Sequence, residues 1–174
     1  MPNSGLKNRR VYSASIKRVL MLFVLTFAAV HLWAQTPTQK FAAAIAKAEG
    51  YYTKGTIPQR CANPGDLKAV RGWKYPGQIG ICKGGYVRFK NATYGWLALC
   101  AQLDKIAARE SKAYTPEMTL AQAGRKYAGD WRTWSKNVAH NLGVTPSTPL
   151  FLVLDVPPAL AVQADRHALD FLGN

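Results

Sequence analysis

The sequence predicts a mainly helical α+β domain with one small β-rich lobe placed after the first helix. Apolar residues recur at helical spacing near residue 40 and again beyond residue 91. Between these regions, residues 51–90 are rich in glycine and proline, and their apolar residues fall in short β-prone runs. The length of 174 residues favours one domain, and no internal repeat or low-complexity linker divides it.

The first helix is marked at both ends. Thr36 is suited to cap it, Pro37 suits its first position, and Gln39 completes a capping box. Gly50 is expected to end it, because glycine tolerates the left-handed conformation that often follows a helix. The apolar stripe between these ends consists of Phe41, Ala44, Ile45 and Ala48.

Residues 51–90 are predicted to form loops and a small antiparallel sheet. The two β-prone pieces are Ile79–Ile81 and Tyr86–Phe89. Five more helices are expected after this lobe, the last of them running through residues 160–171. The first four are expected to begin at Asn91 or Thr93, at Thr119, at Asp130 and at Thr148-Pro149.

Residues 1–34 have the layout of a secretory signal peptide. They contain five basic residues and no acid, followed by an apolar run from Val19 to Trp33 and a small residue, Ala34. The alternative is an uncleaved membrane anchor, although a span usually needs about 20 apolar residues. We therefore expect an exported protein, periplasmic or secreted, whose mature domain is residues 35–174 and makes no stable membrane contact after cleavage.

The charge of the chain is strongly positive, +14 in all. Residues 35–174 contain 18 Lys and Arg and 9 Asp and Glu, a net charge of +9. Such a charge favours an anionic partner, although a plain solvated basic surface would have the same composition. Export and the lack of a recognisable motif argue against nucleic acid as that partner. We expect a monomer.

Three cysteines are predicted to divide into one pair and one free thiol. Cys61 and Cys82 flank one glycine-rich loop, and an exported protein permits a disulfide between them. Cys100 lies on an apolar helix face and is interpreted as a small buried hydrophobe. No Cys or His spacing resembles a zinc site, so neither a metal nor a cofactor is expected.

Glu49 is the candidate general acid. It lies at the edge of the apolar stripe, in the last turn of the first helix. Partial burial and the negative end of the helix dipole both disfavour a charged carboxylate there, so its pKa should be raised. A glycosidase acid needs a raised pKa to hold a proton near neutral pH. The alternative is a solvated Glu paired with Lys47 or Arg60.

Several short motifs recur in a characteristic order. They are Ala48-Glu49-Gly50, Asn63-Pro64-Gly65-Asp66-Leu67, Tyr86-Val87-Arg88-Phe89, Gly95-Trp96, Tyr114–Leu120, Tyr127-Ala128 and Gly143–Pro146. Over residues 38–155 the chain thereby resembles lysozyme-like proteins related to soluble lytic transglycosylases, goose-type lysozymes and phage virion lysozymes. The resemblance implies a lysozyme-like fold, cleavage of peptidoglycan glycan strands, and Glu49 as the catalytic acid.

Asn63–Asp66 are predicted to form a type II turn with Pro64 and Gly65 at its centre. In one interpretation Asn63 and Asp66 only serve the backbone of this turn. In the other they face Glu49 across a cleft, with Asp66 as a second carboxylate and Asn63 as a substrate ligand. Many relatives read Asn-Asn-Pro-Gly-Asn at these positions, where this chain has Ala62 and Asp66 at the two ends.

Aromatic side chains near the predicted cleft are candidates for stacking on sugar rings. We assign this role to Tyr51, Tyr86 and Tyr127, for each of which ordinary packing is the alternative. Two functions remain open from the sequence. One is cleavage of the β-1,4 bond between N-acetylmuramic acid and N-acetylglucosamine, by hydrolysis or transglycosylation. The other is a non-catalytic basic protein that binds the cell wall.

Overall fold

The computed structural model describes residues 35–158, and within them the fold is the predicted mainly helical α+β arrangement. Residues 1–34, for which a signal peptide is predicted, and the helix predicted for residues 160–171 lie outside the described residues. The elements, in chain order, are α1 (Pro37–Ala48), α2 (Ile57–Arg60), β1 (Gln78–Cys82), β2 (Tyr86–Phe89), α3 (Ala92–Ala107), α4 (Leu120–Tyr127), α5 (Trp131–Leu142) and α6 (Leu150–Leu154).

Most helix ends follow the capping signals of the sequence. Thr36 and Thr119 each form a full capping box with the glutamine three residues later. Asp130 caps α5, and Asn91 rather than Thr93 caps α3. Helix α6 begins after Thr148-Pro149, as predicted, with Pro149 at the N-cap position. The Thr148 hydroxyl accepts a hydrogen bond from the Thr145 N–H, 3.2 Å away, and closes a turn before the helix.

The helices enclose one apolar core. Helix α1 packs against α3, α5 and α6, and α4 packs against α5. The largest fully buried apolar side chains of this core are Phe41, Ile45, Leu99, Leu120, Val138 and Leu150. These positions come from five of the helices, so the core fixes the end of α1 relative to α4 and α5.

The lobe, residues 50–91, has its own smaller core beneath a two-stranded antiparallel sheet. The predicted Cys61–Cys82 disulfide is present and ties α2 to the end of β1, while Cys100 is free and half-buried on α3. Helix α2 was not predicted, although Thr56 caps it and Gln59 stands three residues later as in the other capping boxes. The lobe core consists of Leu67, Tyr75, Val87, Phe89 and Ala98.

The turn at residues 63–66 forms as expected, but not as type II. The Asp66 N–H donates to the Asn63 carbonyl at 3.1 Å, yet Gly65 does not have the positive φ that a type II turn requires. Gly65 is instead required for space, because a Cβ there would lie 2.7 Å from Cδ1 of Leu99. Gly95 on α3 is also required for space. A Cβ there would lie 2.0 Å from the carbonyl oxygen of Ala62, the residue before the turn. Together these close approaches seat the turn directly on α3.

None of the helices in residues 35–158 has both the length and the apolar character that crossing a membrane requires.

Candidate active site

Glu49 is the residue that ends α1, at the boundary between the helical core and the lobe. Its backbone N–H donates to the Ile45 carbonyl, so the side chain is carried by the last turn of a well-packed helix. The side chain is half-buried, and its Oε1 accepts a hydrogen bond of 2.8 Å from Nε1 of Trp134 on α5. One carboxyl oxygen is therefore held in place, which leaves the other as the position for a transferable proton.

Asp66 reaches the same place from the lobe. It ends the 63–66 turn with a left-handed φ of 46°, a conformation that Asp and Asn tolerate better than most residues. Its carboxyl lies close enough to Glu49 for a side-chain hydrogen bond between the two acids. The Asp66 Oδ1 is buried, and no hydrogen-bond donor among the described residues reaches it. Either acid can donate to the other only when it carries a proton, and the order of the two pKa values assigns that proton to Glu49.

The electrostatics of the pair agree with that assignment. Burial, and secondly the negative charge of Asp66, raise the pKa of Glu49 from 4.5 to about 7. Burial also raises the pKa of Asp66, from 3.8 to about 6, but the nearby Lys68 cation and the hydrogen bond from Glu49 act in the opposite direction. The hydrogen bond between the acids raises one pKa and lowers the other, as expected when the proton resides on Glu49 and Asp66 is ionised.

Tyr127 fastens the turn to the helical core. Its hydroxyl donates to the Gly65 carbonyl, and its ring lies against that of Trp134 with the centroids 4.8 Å apart. Burial, followed by the charges of Glu49 and Asp66, holds the pKa of this hydroxyl well above 10. The hydroxyl is therefore a donor throughout the neutral range, and Tyr127 acts here through the backbone beside Asp66.

The positive charge of Lys68 lowers the pKa of Asp66. Its Nζ donates to the Gly84 carbonyl at 2.6 Å and lies 3.4 Å from the centre of the Tyr86 ring. Tyr86, predicted to bind substrate, is thus half-buried and has a cation against its ring. A sugar stacking on that face of the ring would have to displace the Lys68 ammonium group.

Asn63, also predicted as a substrate ligand, has a structural position instead. Its side chain is completely buried, with Nδ2 donating to the carbonyls of Leu67 and Val87 and Oδ1 accepting from the Leu67 N–H, all at 2.9–3.0 Å. Both polar atoms of the amide form hydrogen bonds with the backbone. This agrees with the interpretation in which Asn63 serves the backbone of the turn. Asn63 positions Asp66 by holding the turn against β2.

Among the described residues, the Tyr51 ring contacts other aromatic rings and not Glu49 or Asp66. Its ring meets those of Tyr52 and Trp96 edge-on, at centroid distances of 5.4 and 5.7 Å. It follows Glu49 by only two residues and is half-buried, so it lines the surface next to the end of α1. Its hydroxyl has no hydrogen bond to another described residue, which leaves it open to solvent or ligand.

Trp134 is the site residue that the sequence analysis missed. The residue is 6% exposed and packs in the helical core. A buried indole N–H still needs an acceptor, and that requirement was the signal that a polar group must lie beside it. The acceptor, Glu49, is 85 residues away in the chain.

No metal site accompanies these residues: among residues 35–158, no three His, Cys, Asp or Glu side chains are grouped closely enough to hold an ion. Comparisons of the chain with models of protein families, with curated proteins and with solved structures found no match.

Proposed function

We propose that this protein cleaves the β-1,4 glycan of peptidoglycan with Glu49 as the general acid. The observation that supports it best is the carboxyl pair: Glu49 is half-buried, accepts from the Trp134 indole and lies beside Asp66, and its pKa is raised to about 7. A carboxylic acid that keeps its proton near neutral pH is what protonation of a glycosidic oxygen requires. The motifs shared with lysozyme-like proteins give the same residue the same role.

In the proposed reaction, Glu49 gives its proton to the oxygen between the two sugars as that bond breaks. The resulting carboxylate retains the Trp134 N–H as a donor, which stabilises its new charge. Asp66, already ionised, faces the positive charge that develops on the sugar ring. Tyr127 and Asn63 act as positioning residues, because each holds the turn that carries Asp66.

The contact between the two acids favours transglycosylation over an inverting hydrolysis. Inverting enzymes keep their carboxyls about 6.5–9.5 Å apart so that a water fits between them. Two carboxyls close enough to interact directly leave no such space. Glu49 would then act first as acid and afterwards as base, and the sugar's own hydroxyl would complete the reaction to give an anhydro product.

Export is part of the proposal, since peptidoglycan lies outside the cytoplasm. The Cys61–Cys82 disulfide is compatible with an oxidising compartment. The +9 charge of residues 35–174 suits an anionic cell wall.

The test is digestion of purified peptidoglycan by the wild type and by Glu49→Gln, Asp66→Asn and Glu110→Gln. Glu49→Gln should lose about 10²–10⁴-fold of the activity, the usual contribution of a general acid. Glu110→Gln is the matched control, because Glu110 is exposed and outside the site. Mass spectrometry of the released muropeptides separates anhydro from reducing ends. Wild-type turnover in Glu49→Gln would refute the assignment, and no turnover in any protein, with intact wall binding, would favour the non-catalytic alternative.

A further inference from the structure

A second surface of the lobe combines exposed apolar side chains with basic ones. The chain turns back at residues 70–73, where the Trp73 N–H donates to the Val70 carbonyl at 3.3 Å, and both side chains remain exposed, at 45% and 51%. Ile81 on β1 is 61% exposed and borders the same groove, whose volume is about 420 Å³. The groove is lined by Ala69, Val70, Gly72, Trp73, Lys74, Gln78 and Ile81.

The charges around this groove have one sign. Residues 67–90 contain six Lys and Arg and no Asp or Glu. Arg71, between the two exposed apolar residues of the turn, and Lys74, in the groove wall, are both exposed. Within residues 35–158 the one ion pair joins Arg109 to Glu117, so neither of these lobe cations has a carboxylate partner there. We call Val70, Arg71, Trp73, Lys74 and Ile81 the hairpin face.

We propose that the hairpin face docks on the surface of an anionic lipid bilayer. Tryptophan and aliphatic side chains enter the boundary between headgroups and acyl chains, while adjacent Arg and Lys bind anionic headgroups. The hairpin face offers both kinds of contact within five side chains. This inference goes beyond the proposed function, because the groove shares no lining residue with the site of Glu49 and Asp66. It also departs from the expectation, drawn above from the sequence, that residues 35–174 make no stable membrane contact.

Two other occupants fit the hairpin face less well. A second copy seated on it symmetrically would bring Arg71 and Lys74 against their own equivalents, and like charges repel. A sugar could stack on Trp73, but it would also need several directed polar groups, and among the groove residues only Lys74, Gln78 and the Trp73 indole N–H are polar. An anionic bilayer satisfies both the apolar lining and the unpaired cations.

The test uses the full chain with a fluorophore that brightens in lipid, attached to Val70→Cys in a Cys100→Ala background. The matched control carries the same label at Leu152→Cys on α6, where the native side chain is 64% exposed. The probes are vesicles of phosphatidylcholine alone and vesicles of phosphatidylcholine in which about one third of the lipid is phosphatidylglycerol. We expect the label at residue 70, and not that at residue 152, to enter lipid on the anionic vesicles only.

The charge requirement is tested in the same labelled chain. Arg71→Gln with Lys74→Gln should lower the ratio of lipid-buried to free label about 25-fold, since each basic side chain at an anionic surface is worth about fivefold. Lys112→Gln with Lys136→Gln removes the same charge elsewhere and should leave the ratio unchanged. Residues 1–34 are present in both double variants, so their contribution to overall vesicle binding cancels when the two variants are compared.

Three results would overturn the proposal. The first is equal entry of the label into neutral and anionic vesicles. The second is an unchanged ratio of lipid-buried to free label in the Arg71→Gln/Lys74→Gln variant. The third is a label fluorescence that, without lipid, changes saturably with a chitin tetrasaccharide or with protein concentration. The last would assign the groove to a sugar or to a second copy. Glu49→Gln should behave as wild type in this assay, so failure here and failure of the proposed activity are separate outcomes.

Discussion

Replacing Glu49 by Gln should change the pH dependence of stability, whether or not the protein is an enzyme. Gln has the shape of Glu, so its Oε1 can still accept from Nε1 of Trp134. The Gln amide can donate to Asp66 at every pH, whereas the Glu49 carboxyl can donate only when it is protonated. The substitution therefore keeps the contacts of the acid form and removes the titration.

The size of the effect follows from the pKa of Glu49, which is raised from 4.5 to about 7 in the folded protein. Each pKa unit corresponds to about 1.4 kcal/mol, so the acid form contributes about 3 kcal/mol. Because the folded protein holds the proton more tightly than the unfolded chain, this contribution is complete below pH 4.5 and is lost as the pH rises through about 7. The wild type should lose it, and Glu49→Gln should not.

Urea unfolding at pH values from about 4 to about 9 measures the difference. The free energy of unfolding of Glu49→Gln, relative to wild type, should rise by about 3 kcal/mol across that range. Asp66, whose pKa is also raised, is present in both proteins, so its loss of stability with pH largely cancels. Glu110→Gln should follow the wild type. A difference between Glu49→Gln and wild type that stays constant with pH would show that Glu49 is not a buried acid.

Three further predictions concern the supports of the site. Trp134→Phe removes a hydrogen bond that lowers the pKa of Glu49, so carboxyl NMR should show that pKa above about 7, and an unchanged value would refute the role of the indole. Gly65→Ala should cost about 1–3 kcal/mol in urea unfolding, because its Cβ would overlap the buried Leu99 side chain, and the cost should shrink in a Leu99→Ala background. Replacing Cys61 and Cys82 together by Ala opens a loop closed across 21 positions and should cost about 3 kcal/mol, whereas Cys100→Ala should cost far less.

The sequence by itself determined the parts of this fold that depend on neighbouring residues. Capping boxes at Thr36 and Thr119 and the cap at Asp130 placed three helix starts, because a cap is a contact over three residues. The disulfide followed from two cysteines flanking one loop. The raised pKa of Glu49 was predicted for a similarly local reason, since the apolar stripe of α1 already implied that its edge is partly buried.

Tertiary structure decided what those local elements do together. Trp134 meets Glu49, and Tyr127 meets Gly65, across 85 and 62 residues of chain, and no periodicity within either helix specifies its partner. The reason for a glycine at position 65 was also set by tertiary structure. The sequence suggested a turn that needs a positive φ, whereas the structure shows that Gly65 leaves space for the Leu99 side chain. Asn63 and Asp66 lie in one turn, yet packing buries the first against the backbone and brings the second to Glu49. Side-chain roles of this kind depend on distances set by the closed core, and a linear pattern contains no such distances.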